Sequence, residues 1–106
     1  MLYIMVNEDR SDGGAIRIRD ATREAHLAYL DRHKDIVVLA GGTLAEDGST
    51  RTGSVFVINV PSRHAAEKFS AEEPFRKAGL FKTVKITRMR RGQWNPEAAP
   101  TTAEGN

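Results

Sequence analysis

The 106-residue sequence predicts an α+β fold of the ferredoxin-like type, with its elements in the order βαββαβ. Two observations lead to this prediction. Four short runs are rich in the β-branched and aromatic residues that favour strands, and two other segments place small and apolar residues at helical spacing. The two kinds of segment alternate as in a pair of βαβ halves, and the chain length fits one domain with a modest core.

The first half of the chain is predicted to form a strand, a helix and a second strand. Residues 2–6 are a continuous apolar run, which predicts a strand buried on both faces, and a polar loop follows. Residues 18–33 show a helical pattern, whose predicted apolar side consists of Ala21, Ala25, Leu27, Ala28 and Leu30. Residues 35–44 predict the second strand, and the Asp47-Gly48 pair after it is typical of a hairpin turn.

The second half is predicted to form the remaining two strands and a helix. Residues 53–60 (GSVFVINV) predict the third strand, and Ser62 is the predicted N-cap of the second helix. Pro74 begins a further helical turn that Gly79 ends, and residues 81–90 predict the last strand.

The sequence also divides the chain into a domain over residues 1–91 and a C-terminal tail or arm over residues 92–106. The tail has no hydrophobic periodicity, which is typical of a linker. It contains Trp94, the single tryptophan of the chain, and we expect this residue to dock on a partner subunit.

The third strand predicts a homodimer, because its side chains are apolar on both faces of the sheet. One face is predicted to carry Ser54, Phe56, Ile58 and Val60, and the other Val55, Val57 and Asn59. Two helices cover only one face of a four-stranded sheet, and an uncovered apolar face usually marks an interface. We therefore expect two sheets to pack face to face about a two-fold axis.

The composition excludes several classes of site. The chain has no cysteine and hence no disulfide, thiol nucleophile or cysteine-based zinc site, and the spacing of His26, His33 and Glu73 does not predict a metal site. His33 and His64 lie in polar segments and are expected to be solvated. The formal net charge of +2 fits weak attraction of anions and does not indicate nucleic-acid binding. Without a signal peptide or an apolar run of transmembrane length, we expect a cytoplasmic protein that uses no membrane, metal or cofactor.

His26 is the candidate reactive residue. On the predicted helix it lies three residues after Arg23 and four before Leu30, so the three share one side, and Glu72 and Glu73 precede Pro74 at a later helix start. A carboxylate beside His26 would fix its tautomer and stabilise its charged form, giving a His–carboxylate dyad for proton transfer. From spacing alone, a structural His26 and a helix-capping Glu73, in a capping box with Ser70, are the commoner roles.

Several motifs together resemble those of the YciI-like, or YCII-related, family. They are RxxHLxYL around His26, AGGTL in the second strand, GS at the start of the third and EPFRKAGL after the second helix, and they cover the chain to about Arg88. The resemblance implies a ferredoxin-like protomer that pairs into a dimeric α+β barrel. It also implies a catalytic or ligand-binding role for His26, with Glu73 standing where the family usually has an aspartate.

The resemblance further implies a small-molecule enzyme. One branch of the family removes chloride from chlorinated hydroxyquinols, and the wider barrel superfamily includes muconolactone isomerases. We therefore expect a cofactor-independent lyase, isomerase or dehalogenating enzyme that transfers a proton on a small oxygenated substrate. His26 would be the general acid or base, Glu73 would orient it, and Arg23 is a candidate contact for an anionic substrate.

Two alternatives remain open from the sequence. The same pocket would serve a non-catalytic module that binds or senses a metabolite. The βαββαβ order also belongs to the RNA-recognition module, with Tyr3 and Phe56 at positions where that module stacks bases. The third strand has Ser54 and Asn59 where further aromatic residues would be needed, which argues against RNA binding.

Overall fold

A computed structural model of the chain describes residues 1–105. Its elements are β1 (Leu2–Asp9), α1 (Ala15–Arg32), β2 (Val37–Leu44), β3 (Arg51–Asn59), α2 (Arg63–Glu72), α3 (Pro74–Lys77), β4 (Phe81–Met89) and a 3₁₀ turn (Pro96–Ala98). The βαββαβ order and the ferredoxin-like α+β class predicted from the sequence are confirmed.

The four strands form one antiparallel sheet in the order β2-β3-β1-β4. On the central strand β1, Met5 pairs with Phe56 of β3 on one side and with Ile86 of β4 on the other. Met5 and Phe56 are buried in one cluster with Tyr29 of α1 and Phe69 of α2. The core therefore lies between the helices and a single face of the sheet.

The other face of the sheet is open in the single chain. Ile4 and Val6 of β1 pair with Val57 and Val55 of β3, and Leu39 of β2 pairs with Val57, so these apolar side chains share that face. Leu39 is 64% exposed and Val6 is 42% exposed. The predicted alternation of β3 is confirmed. The prediction that β1 is buried on both faces is wrong for one chain, because no helix covers this side.

The covered face also accounts for the two aromatic residues that suggested an RNA-recognition surface. Tyr3 and Phe56 are both buried in the core cluster under the helices. They point away from the open face of the sheet, on which such a module stacks bases. The fold therefore removes the observation that favoured RNA binding.

β1 is longer than predicted because polar residues continue its buried side. The prediction ended the strand at Val6, but Asn7 and Asp9 extend the alternation and are buried. Asp9 accepts from Arg19, and Asn7 Nδ2 donates to Ser54 Oγ at 3.1 Å, while Asn7 Oδ1 is buried without a partner among residues 1–105. A polar residue in the helix-facing position is tolerated when it has such a partner.

α1 begins before its predicted start and buries a different side. It starts at Ala15, and the alanines and Leu27 of the predicted apolar side are exposed. Tyr29 is buried, and His26 and Leu30 are half-buried, so the inward side combines polar and aromatic residues with Leu30 of the predicted apolar side. No helix within residues 1–105 is long and apolar enough to cross a membrane.

The predicted helix and turn signals are mostly confirmed. Ser62 Oγ caps α2 by accepting from Ala65 N at 3.1 Å, and Pro74 is the first residue of α3. The predicted Ser70–Glu73 capping box is wrong. Ser70 lies inside α2 and accepts from Arg76 Nη1, while Glu73 itself caps α3.

The loop between β2 and β3 is held by Asp47. Its carboxylate accepts hydrogen bonds from the backbone N–H groups of Ser49 and Thr50, each at 2.9 Å, and from the Thr50 hydroxyl. These bonds lower the pKa of Asp47 to about 2. Gly48 follows with a φ of +75°, a conformation that favours glycine, as the Asp47-Gly48 signal predicts.

The C-terminal tail has little regular structure beyond its 3₁₀ turn. Trp94 is 60% exposed, and the Arg91 guanidinium lies 5.8 Å from the centre of its ring. Docking of Trp94 on a partner subunit therefore stays a prediction.

We expect Gly53→Ala to destabilise the fold. A Cβ at Gly53 would clash with the backbone oxygen of Asn7 on the paired strand, which cannot move without breaking the β1–β3 ladder. Overpacking of this kind costs about 1–3 kcal/mol in the free energy of unfolding, measurable by urea denaturation. Gly41→Ala is the control, because a Cβ there has nothing within 4 Å. Equal stability of the two variants would contradict this account of the β1–β3 contact.

Candidate functional site

A cavity of about 450 Å³ lies between α1 and the covered face of β2 and β3. α1 contributes Arg23, His26 and Leu30 to its wall, β2 contributes Ala40 and Gly42, and β3 contributes Ser54 and Phe56. Phe75 of α3 completes the wall beside His26. The structure thus brings two of the predicted site residues, Arg23 and His26, to one cavity.

The third predicted site residue, Glu73, contacts His26 directly. Glu73 Oε1 lies 2.5 Å from His26 Nδ1, and the Glu73 side chain is 1% exposed. The carboxylate oxygen accepts this hydrogen bond, so Nδ1 carries the proton. In the neutral ring Nε2 is then the basic nitrogen, and it has no hydrogen-bond partner among residues 1–105.

Glu73 holds its helix cap and His26 at the same time. Its second oxygen, Oε2, accepts from the backbone N–H of Arg76 at 3.1 Å and so caps α3. Helix capping and orientation of His26, the two roles that the sequence leaves open for Glu73, are therefore filled by the two oxygens of one carboxylate. Two donors to a buried carboxylate also compensate for the loss of its hydration.

The EEPF sequence explains why the Glu73 carboxylate points at α1. Pro74 disfavours helical backbone at the residue before it, and Glu73 is extended, with φ −65° and ψ 128°. This single extended residue separates α2 from α3. The break turns the Glu73 side chain out of the α2 spiral and towards His26.

The His26 ring is also held by aromatic contacts. It stacks on Phe75, with ring centres 4.0 Å apart and planes inclined by 18°, and Phe56 lies 6.2 Å away. The side chain of His26 is 13% exposed. With Nδ1 bound and one ring face covered, the imidazole has a fixed orientation beside the cavity.

An ion pair supports the same wall of the cavity. Arg19 Nε and Nη2 donate to the two oxygens of Asp9 at 2.8 and 3.0 Å, and Nη2 also donates to the Gly53 oxygen at 2.9 Å. The Arg19 guanidinium lies 5.1 Å from the centre of the Phe75 ring. Sequence reasoning missed this pair. The available signal was the strand alternation that places Asp9 on the inward side.

Three further titratable side chains, those of Tyr29, His33 and His64, either have structural hydrogen-bond partners or are exposed to solvent. Burial raises the pKa of Tyr29 to about 12, assisted by Glu72 and Glu73, and its hydroxyl donates to the Phe69 oxygen at 2.8 Å. His33 was predicted to be solvated, but it is half-buried and its Nδ1 donates to the Tyr29 oxygen. His64 is exposed. No group of three His, Cys, Asp or Glu in the described part of the chain is arranged to hold a metal ion.

Comparisons with known proteins place this site in a family context. No curated protein sequence matches the chain. A solved structure of 5-chloro-2-hydroxyhydroquinone dehydrochlorinase from Burkholderia phenoliruptrix, in complex with 2,5-dihydroxybenzoquinone, is similar at 31% sequence identity and a TM-score of 0.76, over 87% of this chain and 96% of that one. An antibiotic biosynthesis monooxygenase is similar in fold at 14% identity and a TM-score of 0.54, over 88% of this chain and 100% of that one.

The family model named YCII-related domain matches residues 1–90. This match extends from β1 through β4 and contains every residue of the site described above. It confirms the resemblance seen in the sequence motifs. The chain belongs to the YCII-related family.

Proposed function

We propose that the protein is an enzyme in which His26 transfers a proton to or from a small oxygenated substrate, while Glu73 orients the ring and stabilises its charged form. The observation that carries this proposal is the His26–Glu73 pair at the wall of a cavity, with Nε2 unoccupied. A buried carboxylate behind a histidine is the usual arrangement for general acid–base catalysis.

The cavity supports a ring-sized substrate. Its volume of about 450 Å³ lies in the range typical of small-molecule sites. Phe56 and Phe75 supply flat apolar walls, and the Ser54 hydroxyl supplies a polar contact. A dehydrochlorinase in the same family, at 31% identity, adds support for an oxygenated ring as substrate.

Loss of HCl from a chlorinated hydroquinone is the reaction that we propose to test first. Two hydroxyl protons leave, one proton is added to the carbon that carries chlorine, and chloride departs with the C–Cl electron pair. The product is a quinone, and no external oxidant or reductant is needed. His26 Nε2 would take a hydroxyl proton as base and deliver a proton to carbon as acid, with Glu73 stabilising the imidazolium in between.

A non-catalytic binding module is the second candidate. It is favoured by the substitution of glutamate for the family's usual aspartate, which lengthens the side chain behind His26 by one methylene. Such a module would bind the same ligands without turning them over. The two candidates therefore differ in turnover and not in binding.

We also propose that the protein is a homodimer that buries the open face of its sheet. The support is the apolar character of that face, where Leu39 and Val6 are exposed beside half-buried Ile4, Val55 and Val57. Two such faces packed against each other would remove these side chains from water. Trp94 in the tail is proposed to contact the partner subunit.

The catalytic proposal is tested with His26→Asn, Glu73→Gln and Glu73→Asp on 5-chloro-2-hydroxyhydroquinone and related hydroxylated rings, by chloride release and quinone absorbance. Loss of the acid–base group in His26→Asn should lower kcat/KM about 10²–10⁴-fold. Glu73→Gln should lower it at least about 10-fold, and Glu73→Asp should retain more activity because it keeps the charge. His64→Asn is the control and should behave as wild type.

Two outcomes would contradict this proposal. One is a His26→Asn variant as active as wild type. The other is a wild-type protein that binds members of the panel and turns none of them over, which would favour the binding module. Thermal unfolding of each variant separates loss of chemistry from loss of fold.

Leu39→Lys should convert the dimer into a monomer, because it places a charge on the open apolar face. The molar mass is measured by size-exclusion chromatography with light scattering. Ile16→Lys is the matched control: Ile16 is 75% exposed but lies at the start of α1, in the helix layer. A wild-type protein that is monomeric at high micromolar concentration would contradict the dimer.

A further inference from the structure

Two arginines at the cavity have no partner of their own. Arg23 of α1 and Arg51 at the start of β3 both line the cavity, and neither guanidinium group makes a hydrogen bond or ion pair with any residue in 1–105. Arg19, which lines the same cavity, is by contrast paired with Asp9. Two guanidinium groups beside His26 are thus left available to a ligand.

The backbone of β2 makes room for the Arg51 guanidinium. A Cβ at Gly42 would lie 2.6 Å from Arg51 Nη1, closer than atoms approach without moving. Gly42 also lines the cavity, as its neighbour Gly41 does. The absent side chain therefore lets the Arg51 side chain lie across β2 beside the cavity.

Two other charged residues line the cavity, Arg19 and Asp20, and both lie on α1 near Arg23. Arg51 also borders, with Arg19 and Asp20, a neighbouring cavity of about 290 Å³. Arg23 is three residues from Asp20 and four from Arg19, hence one helical turn away. Arg19 is neutralised by Asp9, so among the residues that line the cavity Arg23 and Arg51 are opposed by the single charge of Asp20. The lining therefore has one surplus positive charge, while the Glu73 carboxylate lies behind His26, 1% exposed and outside the lining.

Ser54 adds a buried neutral donor. It is 4% exposed and lines the cavity, and its Oγ accepts from Asn7 Nδ2 at 3.1 Å. Since that bond uses an oxygen lone pair, the hydroxyl hydrogen remains available to a ligand oxygen. The wall thus offers donors to a ligand, as an oxygen-rich anion requires.

We propose that the cavity selects ring-bearing organic anions, with the negative charge of a carboxylate or phenolate held by Arg23 and Arg51 and a second oxygen accepting from Ser54. This names the substrate class for the site in the proposed function and rests on that proposal for the role of His26. Arg51 and Ser54 become specificity residues of the site. Asp20 opposes the anion and lowers its affinity.

The probes for the experiment are 3,4-dihydroxybenzoate and 3,4-dihydroxybenzamide, which differ in charge and little in shape. Dissociation constants are measured by isothermal titration calorimetry at low salt, because screening weakens exposed charge contacts. We expect wild type to bind the benzoate about 10-fold or more tightly than the benzamide, the equivalent of about 1.4 kcal/mol.

The variants then assign that preference to residues. Arg23→Gln and Arg51→Gln should each weaken benzoate binding about 3- to 10-fold and leave benzamide binding unchanged. Gly42→Ala, which displaces the Arg51 guanidinium, should act in the same direction, and Asp20→Asn should tighten benzoate binding. Arg17→Gln is the matched control, because Arg17 is exposed on α1 and lies outside the cavity lining.

Equal binding of the two probes, no binding of either, or a preference that survives in both Arg23→Gln and Arg51→Gln would overturn the proposal. These results are separate from turnover. An anion preference in a protein that catalyses nothing supports the present inference and contradicts the proposed enzyme. Turnover without an anion preference supports the proposed enzyme and contradicts the present inference.

Discussion

The site depends on one buried carboxylate that serves two elements at once. Glu73 Oε2 caps α3 through the Arg76 N–H, and Oε1 binds His26 Nδ1 on α1. Because Pro74 keeps Glu73 in an extended conformation, the carboxylate cannot rejoin the α2 helix and is held between the two partners. The orientation of His26, the proton on its Nδ1 and the junction between α2 and α3 all follow from this shared group. A residue that only capped the helix or only bound the histidine would leave the other partner unsatisfied.

The inward side of α1 likewise places polar side chains in the interior and gives each of them a hydrogen-bond partner elsewhere in the chain. Where the core of a small domain is usually aliphatic, α1 presents Arg19, His26 and Tyr29, each with a hydrogen-bond partner on another element: Asp9, Glu73 and the Phe69 oxygen. Burying polar groups in this way adds little net stability, since each bond replaces bonds to water. It does fix the positions of Arg19 and His26 at the wall of the cavity, and the proposed homodimer would supply further apolar burial at the open sheet face. A short chain with such a site would gain stability from the proposed pairing.

Much of the fold is predictable because its signals are local. The strand propensities, the Asp47-Gly48 turn, the Ser62 cap and Pro74 each act through neighbouring backbone, and each appears where expected, although β1 extends past its predicted end. The sequence pattern predicts the wrong inward side for α1, because Leu27 and three alanines have the spacing of a core stripe. The residues that are in fact buried or half-buried are those that contact partners far along the chain. The Arg19–Asp9 pair, the Asn7–Ser54 pair and the space that Gly42 leaves for Arg51 depend on strand order and register, which no local pattern contains. The contact between His26 and Glu73 spans 47 positions; the residues alone raise it as a hypothesis, and the family resemblance favours it over a capping role for Glu73.

The Glu73 contact holds the proton of His26 on Nδ1, and the proposed acid–base role requires Nε2 to be left without one. Long-range ¹H–¹⁵N NMR correlation of the imidazole, recorded where the ring is neutral, reports which nitrogen carries the proton. We expect His26 in the wild-type protein to be almost entirely the Nδ1–H tautomer, and Glu73→Ala, which removes the acceptor, to shift it towards the Nε2–H form. A wild-type ring protonated on Nε2, or a tautomer ratio that is the same in both proteins, would contradict it.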